Sequence, residues 1–222
     1  MIEGYPEFSK YTAKLPVCMC LDTSGSMAGR AIHALNDGLR VFYEDLRQDS
    51  TASEAADVAI ITFGDGGVEC VRDFGDVFSC DAPELFAGGM TPMGGAVDLA
   101  ADMLANRVRA YREIGCENYT PWLILTTDGM PNGNPLYLQR AVQKVVDMER
   151  REELLVFPVA VGDDADIETL GRFSRKRRPI GLLNLNFPEM FLWFSESISR
   201  VTASAPGGRV ALGSPEDWGE IL

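Results

Sequence analysis

Hydroxyl and carboxylate side chains gather where the first apolar run of the chain ends. That run, residues 17–21, is followed directly by Asp22 and then by Ser24 and Ser26. Because the two serines are two positions apart, an extended loop can turn both hydroxyls toward one point, and Asp22 lies on the same side. These three oxygen donors can therefore serve one ligand.

Two further oxygen donors are expected at the same place. Asp128 follows the apolar run 122–127, and Thr91 belongs to the glycine-rich segment 88–92 that opens a long helical pattern. In open α/β sheets, ligands bind just beyond the carboxyl ends of the strands. Oxygen atoms alone suit a small hard cation, and Mg²⁺ takes six of them while keeping some waters.

The charge of this predicted site bears on its chemistry. Asp22 and Asp128 are its only carboxylates, fewer than a calcium cage normally uses. The cation would remain electrophilic, with a position open to an Asp or Glu of a partner protein. We predict Mg²⁺ at this site, with Mn²⁺ as the alternative.

The elements that must position these residues are strands buried on both faces. Four near-continuous apolar runs, 17–21, 58–63, 122–127 and 154–161, are typical of such strands. Residues 68–74 alternate instead, which predicts an antiparallel edge strand paired with the run before it.

Helical patterns separate the strands. Apolar residues recur at helical spacing over 32–46 and 93–111, and shorter helices are predicted over 138–151, 167–175 and 188–202. The alternation predicts a doubly wound α/β fold, with a mostly parallel central sheet, one antiparallel edge strand and helices on both faces.

Three segments are expected along the chain. They are an N-terminal lead-in over 1–13, the α/β domain over 14–203 and an acidic C-terminal tail over 204–222. The apolar tail residues Trp218, Ile221 and Leu222 could form a short partner-binding motif, fold back over the domain or remain disordered.

The motifs together resemble the von Willebrand factor A domain. Asp-Thr-Ser-Gly-Ser-Met, Gly-Gly-Met-Thr-Pro and Leu-Thr-Thr-Asp-Gly match the pattern DxSxS…T…D of its metal-ion-dependent adhesion site, within a likeness that covers residues 14–203. The resemblance implies a Rossmann-like fold that binds protein partners. It also implies that Ser24, Ser26 and Thr91 contact the metal directly, and that Asp22 and Asp128 do so directly or through water.

Other segments resemble the bacterial TerY/YegL-like branch of that family. These are Leu-Pro-Val at 15–17, Val-Gly-Asp-Asp-Ala-Asp at 161–166 and Phe-Leu-Trp-Phe-Ser-Glu-Ser-Ile-Ser at 191–199. The branch is associated with tellurite resistance and stress-response gene sets. These gene sets include kinases and phosphatases, so the resemblance implies a cytoplasmic bacterial partner, with a kinase or a phosphatase among the candidates, in a stress, metal-resistance or phosphorylation-linked assembly.

Composition excludes several other classes of function. The formal net charge of -13 disfavours a nucleic-acid-binding module, since such proteins gather positive charge. No apolar run approaches the ~20 residues that span a bilayer, so no membrane association is expected. The first 11 residues do not form a signal-peptide pattern, and the odd number of cysteines, 5, does not describe a disulfide framework. We expect a cytoplasmic protein.

Two alternatives compete with a metal-dependent binding module. A metal-dependent hydrolase could use Asp22 or Asp128 with the same cation, but Ser24 stands where a haloacid-dehalogenase-like phosphatase has its second Asp. The lone histidine, His33, lies at the margin of an apolar helix face. Asp22 and Ser26 could also merely cap the helix that starts near Arg30. We expect a binding module and not an enzyme.

Two groups of residues leave their roles open. Met27, Met90, Met93 and Met130 lie within two residues of a predicted ligand, where they could form an adaptable apolar rim or fill the core. A basic cluster over 172–178 is either a solvated helix end or a docking patch for an acidic or phosphorylated partner.

Overall fold

One twisted sheet runs through the protein. The computed structural model describes residues 12–222, so nearly all of the expected lead-in over 1–13 lies outside the described residues. Seven strands form the sheet in the order β3-β2-β1-β4-β5-β6-β7. In chain order they are β1 (Leu15–Thr23), β2 (Ala56–Gly64), β3 (Gly67–Gly75), β4 (Trp122–Thr127), β5 (Leu155–Val161), β6 (Ile180–Leu182) and β7 (Gly219–Ile221).

The five inner strands are parallel, and both edge strands are antiparallel to their neighbours. β3 pairs with β2 through a turn at Gly64–Gly67, as the alternating pattern predicts. β7 pairs with β6, with Ile180 opposite Ile221. The predicted fold class is confirmed, and the structure adds β7 as a second antiparallel edge strand. Only three residues long, β7 carries too little pattern to be recognised from sequence.

Helices cover both faces of the sheet. They are α1 (Arg30–Leu46), α2 (Ser50–Ala55), α3 (Met93–Ile114), α4 (Pro135–Arg150), α5 (Ile167–Gly171) and α6 (Phe187–Thr202). α1 and α6 pack on one face, and α3 and α4 pack on the other. Along β1, Val17 and Met19 point to the first layer while Cys18 and Cys20 point to the second. This two-sided burial is the reason why the strand is apolar throughout.

Two local features differ from the sequence pattern. α2 was not predicted, and its six residues are capped by Asp49, whose side chain accepts hydrogen bonds from the backbone N–H groups of Thr51 and Ala52. α5 ends at Gly171, four residues before the predicted end at Arg175. Beyond it, the chain turns so that Ser174 Oγ donates to Glu149 of α4 at 2.6 Å. A long-range hydrogen bond of this kind leaves no local sequence signal.

α3 and α4 approach each other near their first residues, next to the loops that contain Thr91 and Asp128. A Cβ at Gly94 would lie 2.7 Å from the Cα of Leu138, so only glycine permits this contact. Close packing here fixes the spacing of the loops that precede the two helices.

The last residues fold back against the sheet. Trp218 is 1% exposed, and its ring centroid lies 5.6 Å from that of Trp193 on α6. Of the three possibilities for residues 218–222, the structure shows packing against the domain. Within residues 12–222, no helix combines the length and apolarity needed to cross a membrane.

Candidate metal centre

Asp22 and Thr127 lie side by side at the carboxyl edge of the sheet. β1 and β4 are parallel neighbours with Leu21 opposite Thr126, which places the next residue of each strand together. Asp22 is fully buried, and one carboxylate oxygen accepts a hydrogen bond from Thr127 Oγ1 at 2.5 Å. The other accepts the backbone N–H of Ser24 at 2.8 Å. Both oxygens of Asp22 are thus held in place.

Ser24 and Ser26 bring their hydroxyls together beside Asp22. The segment Gly25–Met27 is a 3₁₀ turn, not the extended loop predicted from sequence. The turn nevertheless leaves the two Oγ atoms 3.1 Å apart. Ser26 Oγ also donates to a carboxylate oxygen of Asp128 at 2.8 Å. Four of the five predicted ligands therefore form one hydrogen-bonded series.

Thr91 lies on a loop that is tied to the loop after β1. Gly88 donates its backbone N–H to the Thr23 carbonyl at 2.8 Å, and Gly25 donates its own to the Gly89 carbonyl at 3.1 Å. Gly89 has a φ of +69°, and a Cβ there would lie 2.5 Å from the Cα of Asp65. Glycine is therefore needed for this close approach of the loop to the end of β2.

Asn132 fixes Thr91 from the other side. The backbone N–H of Thr91 donates to Asn132 Oδ1 at 2.8 Å, and the Asn132 N–H donates to the Thr91 carbonyl at 3.0 Å. Thr91 is 5% exposed. The fifth predicted ligand therefore lies between the loops that carry the other four, at the same edge of the sheet.

Burial raises the pKa values of both carboxyl groups. For Asp22, burial is the main cause, hydrogen bonds from Ser24 and Thr127 oppose it, and the charge of Asp128 adds to it. For Asp128, burial is again the main cause, opposed by the hydrogen bond from Ser26. Among residues 12–222, no Lys or Arg forms an ion pair with either carboxylate. Two partly desolvated carboxylates thus lie close together without a cation to balance them.

The donor set fits a hard divalent cation. It consists of hydroxyl and carboxylate oxygens, the ligand type that Mg²⁺ and Mn²⁺ prefer. Within the described part of the chain, no three His, Cys, Asp or Glu side chains come together in a group that could hold a metal. A cation here would therefore depend on the hydroxyls of Ser24, Ser26 and Thr91 as well as on the two carboxylates.

The helix-capping interpretation of Asp22 and Ser26 is wrong. The N-cap of α1 is Gly29, and no side chain makes a capping hydrogen bond there. Both side chains face the other site residues instead. His33, the histidine considered for catalysis, is exposed on α1, and its side chain makes no hydrogen bond to the site residues in the described chain.

The four methionines divide between core and surface. Met27 and Met93 are fully buried, whereas Met90 is 63% and Met130 is 70% exposed. Three other large apolar side chains are exposed nearby in the chain, one before Thr91 and two at the start of α4. With the two exposed methionines, they form what we call the apolar rim: Phe86, Met90, Met130, Leu136 and Tyr137.

Sequence reasoning missed several residues that support the site. Thr127 orients Asp22, and its position directly before Asp128 at a strand end was the available signal. Asn132 orients Thr91, within a Pro-Asn-Gly turn that carries no role of its own in the sequence pattern. Phe86, Leu136 and Tyr137 of the apolar rim were missed because sequence does not reveal exposure.

Comparison with known proteins connects this geometry to a family. A sequence model of the von Willebrand factor type A domain matches residues 17–183. A comparison with curated proteins gives no match.

Solved structures share the fold at low identity. A von Willebrand factor type A protein from Catenulispora acidiphila is 19% identical with a TM-score of 0.62, over 85% of this chain and 43% of that one. The vWF domain of the pilus tip protein Mfa5 from Porphyromonas gingivalis is 12% identical with a TM-score of 0.60, over 90% and 99%. Manganese-loaded TRAP protein from Plasmodium vivax is 17% identical with a TM-score of 0.50, over 71% and 61%.

One further structure with the same fold is described as having a metal-occupied motif. Proximal thread matrix protein 1 from the mussel byssus, with a zinc-occupied MIDAS motif, is 12% identical with a TM-score of 0.54, over 85% of this chain and 48% of that one. The present chain thus spans less than half the length of two of these proteins, the one from Catenulispora acidiphila and proximal thread matrix protein 1.

Proposed function

The chain belongs to the von Willebrand factor type A domain family, and we propose that it is a metal-ion-dependent protein-interaction module that binds an acidic side chain of a partner. The observation that carries this proposal is the hydrogen-bonded series of Asp22, Ser24, Ser26 and Asp128 at an open edge of the sheet. Oxygen donors converge there from two strands. Exposed apolar side chains lie on the loops next to them and at the start of α4.

The five predicted ligands have distinct roles in this proposal. Ser24, Ser26 and Thr91 contact the cation directly, and Asp22 and Asp128 hold it directly or through water. Mg²⁺ is the expected ion, with Mn²⁺ as the alternative. Support comes from the all-oxygen donor set and from relatives described as manganese-loaded or zinc-occupied.

The residues around Asp22 prepare the site before any ion binds. Thr127 and the Ser24 backbone fix the two carboxylate oxygens, so little side-chain order must be gained on binding. A bound cation supplies a positive charge and a coordination position for an outside oxygen. Because this chain contributes only two carboxylates, a third from a partner is favoured electrostatically.

The apolar rim supports a protein as the partner. Phe86 is 76%, Leu136 is 69% and Tyr137 is 62% exposed, which is unusual for side chains of this size. Exposed apolar clusters mark interaction sites, and methionine adapts to differently shaped surfaces. The partner segment therefore carries an Asp or Glu flanked by apolar side chains.

In this proposal, the protein binds its partner and does not catalyse a reaction on it. Hydrolysis would need a general acid or base besides the ligands of the cation. Ser24 lies where a second Asp would be needed, and the exposed His33 makes no hydrogen bond to the site within residues 12–222. No observation favours the hydrolase alternative.

We extend the proposal to a biological setting. The resemblance of residues 15–17, 161–166 and 191–199 to the TerY/YegL-like branch supports a cytoplasmic bacterial assembly for stress response or tellurite resistance. In that setting, a kinase or a phosphatase supplies the acidic segment.

Thermal unfolding tests the metal site directly. Wild type, Asp22→Ala and the control Asp37→Ala, which removes an exposed carboxylate of α1, are unfolded in EDTA and then in excess Mg²⁺ or Mn²⁺. Since the unfolded chain has no such site, an ion at 100 times its Kd stabilises the fold by about 2.7 kcal/mol. We expect a higher midpoint in wild type and Asp37→Ala, and no change in Asp22→Ala. An equal response of all three proteins, or none, would overturn the metal site.

A further inference from the structure

The amino edge of the sheet carries a second, chemically opposite surface. Two adjoining cavities of about 570 Å³ and 640 Å³ lie there and share Thr120, Glu152 and Gly207 in their linings. Cations border both, although the whole chain has a net charge of -13. They are Arg109, Arg112 and Arg151 in the first cavity, and Lys176, Arg177 and Arg209 in the second.

Most of these cations lack an acidic partner. Within residues 12–222, Arg151 alone of the six forms an ion pair, with Glu153 at 2.8 Å. The second cavity contains three cations and one acid, Glu152. Its lining is therefore positive, and unlike the first cavity it contains no ion-paired arginine.

Hydrogen bonds to the backbone of residues 175–177 hold Arg177 at this cavity. Glu149 is buried at 1% exposure and accepts the backbone N–H of Arg175 at 2.7 Å as well as the Ser174 hydroxyl. Ser174 Oγ in turn accepts the Arg177 N–H at 2.9 Å. A buried carboxylate thus anchors the turn that carries Arg177.

The guanidinium of Arg177 is half-buried against an aromatic ring. Its Cζ lies 4.6 Å from the centroid of the Phe157 ring. Burial lowers its pKa, opposed by the charge of Glu149, and in the described chain no side chain or carbonyl accepts a hydrogen bond from it. A guanidinium fixed over a ring keeps its N–H donors free at its edge, and these match the oxygens of an anion.

Apolar side chains form the remaining wall of the cavity. Leu155 starts an inner strand, Val201 lies in the last turn of α6, and Leu212 comes from the segment that follows α6. These three side chains are partly exposed. The volume of about 640 Å³ lies within the range of small-molecule sites. An apolar wall beside a fixed cation suits a ligand that has an apolar body and one anionic group.

We propose that this cavity binds a small amphiphilic organic anion, whose anionic group contacts Arg177 and whose apolar body lies against Leu155, Val201 and Leu212. Lys176 and Arg209 add positive charge at the opening, and Glu152 opposes it. The site is independent of the metal centre, which lies at the other edge of the sheet. It does not rest on the proposed function.

Fluorescence titration with a matched pair of probes tests this proposal. The first probe is 8-anilinonaphthalene-1-sulfonate, an aromatic body with one sulfonate. The second is N-phenyl-1-naphthylamine, the same body without the charge. Titrations in EDTA use wild type, Arg177→Gln, Arg209→Gln and the control Arg175→Gln, whose exposed side chain lies outside the cavity lining. Near-ultraviolet circular dichroism verifies that each variant is folded.

We expect saturable binding of the sulfonate at one site of wild type. Arg177→Gln removes charge-assisted hydrogen bonds and weakens binding about tenfold or more. Arg209→Gln weakens it roughly twofold to fivefold, as expected for an exposed charge. Arg175→Gln changes it less than twofold, and the uncharged probe responds to none of the substitutions.

Removing a negative charge from the cavity should have the opposite effect on sulfonate affinity and provides a second test. Glu152→Gln removes the one acid of the lining and should tighten sulfonate binding roughly twofold to fivefold. The proposal is overturned if wild type shows no saturable binding, or if sulfonate affinity is the same in wild type, Arg177→Gln and Arg209→Gln. If Arg177→Gln does not fold, Arg209→Gln and Glu152→Gln decide the outcome.

Discussion

The two edges of the same sheet present opposite chemistry. At the carboxyl edge, carboxylates and hydroxyls converge, and burial raises the pKa values of Asp22 and Asp128 without a cation in the described chain to balance them. At the amino edge, cations line two cavities, and Arg177 is half-buried without an acid paired to it. Each edge leaves a charge that a ligand of the opposite sign would neutralise.

The difference between the edges shows how each charge is held in place. Asp22 is fixed by donors on its own loop and on the neighbouring strand, Ser24 and Thr127. Arg177 is fixed indirectly, because Glu149 anchors the backbone of its turn. At the carboxyl edge, the parallel pairing of β1 and β4 places Thr127 beside the Asp22 that it holds. At the amino edge, one buried carboxylate of α4, that of Glu149, holds the turn that carries Arg177.

The largest expected effect on stability comes from removing the carboxylate of Glu149. Glu149→Ala leaves the Arg175 N–H and the Ser174 hydroxyl without their acceptor, and should lower the free energy of unfolding by about 2–4 kcal/mol. Chemical denaturation measures this change. Sulfonate affinity should fall as well, while the midpoint shift produced by Mg²⁺ remains. Loss of the Mg²⁺ response in a folded variant would show that the two edges are not independent.

A smaller effect is expected from protons at the carboxyl edge. The pKa of Asp22 is raised in the fold above its unfolded value of about 3.9, so its contribution to stability is present below that pH. The contribution is lost as pH rises through the raised folded pKa. In EDTA, we subtract the free energy of unfolding of Asp22→Asn from that of wild type. This difference should decline as the pH rises from about 3.9 through the folded pKa of Asp22. Denaturation at a series of pH values measures the difference, and a rise with pH would contradict the assigned direction.

The smallest effect on stability is expected at the apolar rim. Met90→Ser with Met130→Ser changes exposed side chains, so the free energy of unfolding should stay within about 0.5 kcal/mol and the Mg²⁺ response should persist. The amount of partner protein that this variant captures from cell extract with Mg²⁺, and that EDTA then releases, should decrease strongly. Phe78→Ser, an exposed apolar change outside the rim, is the control. Undiminished capture by the double variant would remove the rim from the proposed interface.

Periodicity and strand-end motifs were enough to predict most of the fold. Two-sided burial made the four inner runs continuously apolar, and amphipathic spacing located the long helices. The short elements α2, β6 and β7 were missed because three to six residues carry too little periodic signal. The end of α5 was misplaced because a hydrogen bond to Glu149, distant in sequence, redirects the chain.

The sequence by itself determined which residues could serve the candidate metal centre. Each of the five lies at the end of a strand, just after one or just before a helix, and parallel strands bring their carboxyl ends to one edge. They are Asp22, Ser24, Ser26, Thr91 and Asp128. Tertiary structure alone decided that Met90 and Met130 are exposed while Met27 and Met93 are buried. It also decided that the last strand joins the sheet and that Arg177 faces a cavity. The physical reason is that periodicity and strand ends are local properties of the chain, whereas exposure and anchoring depend on residues distant in sequence.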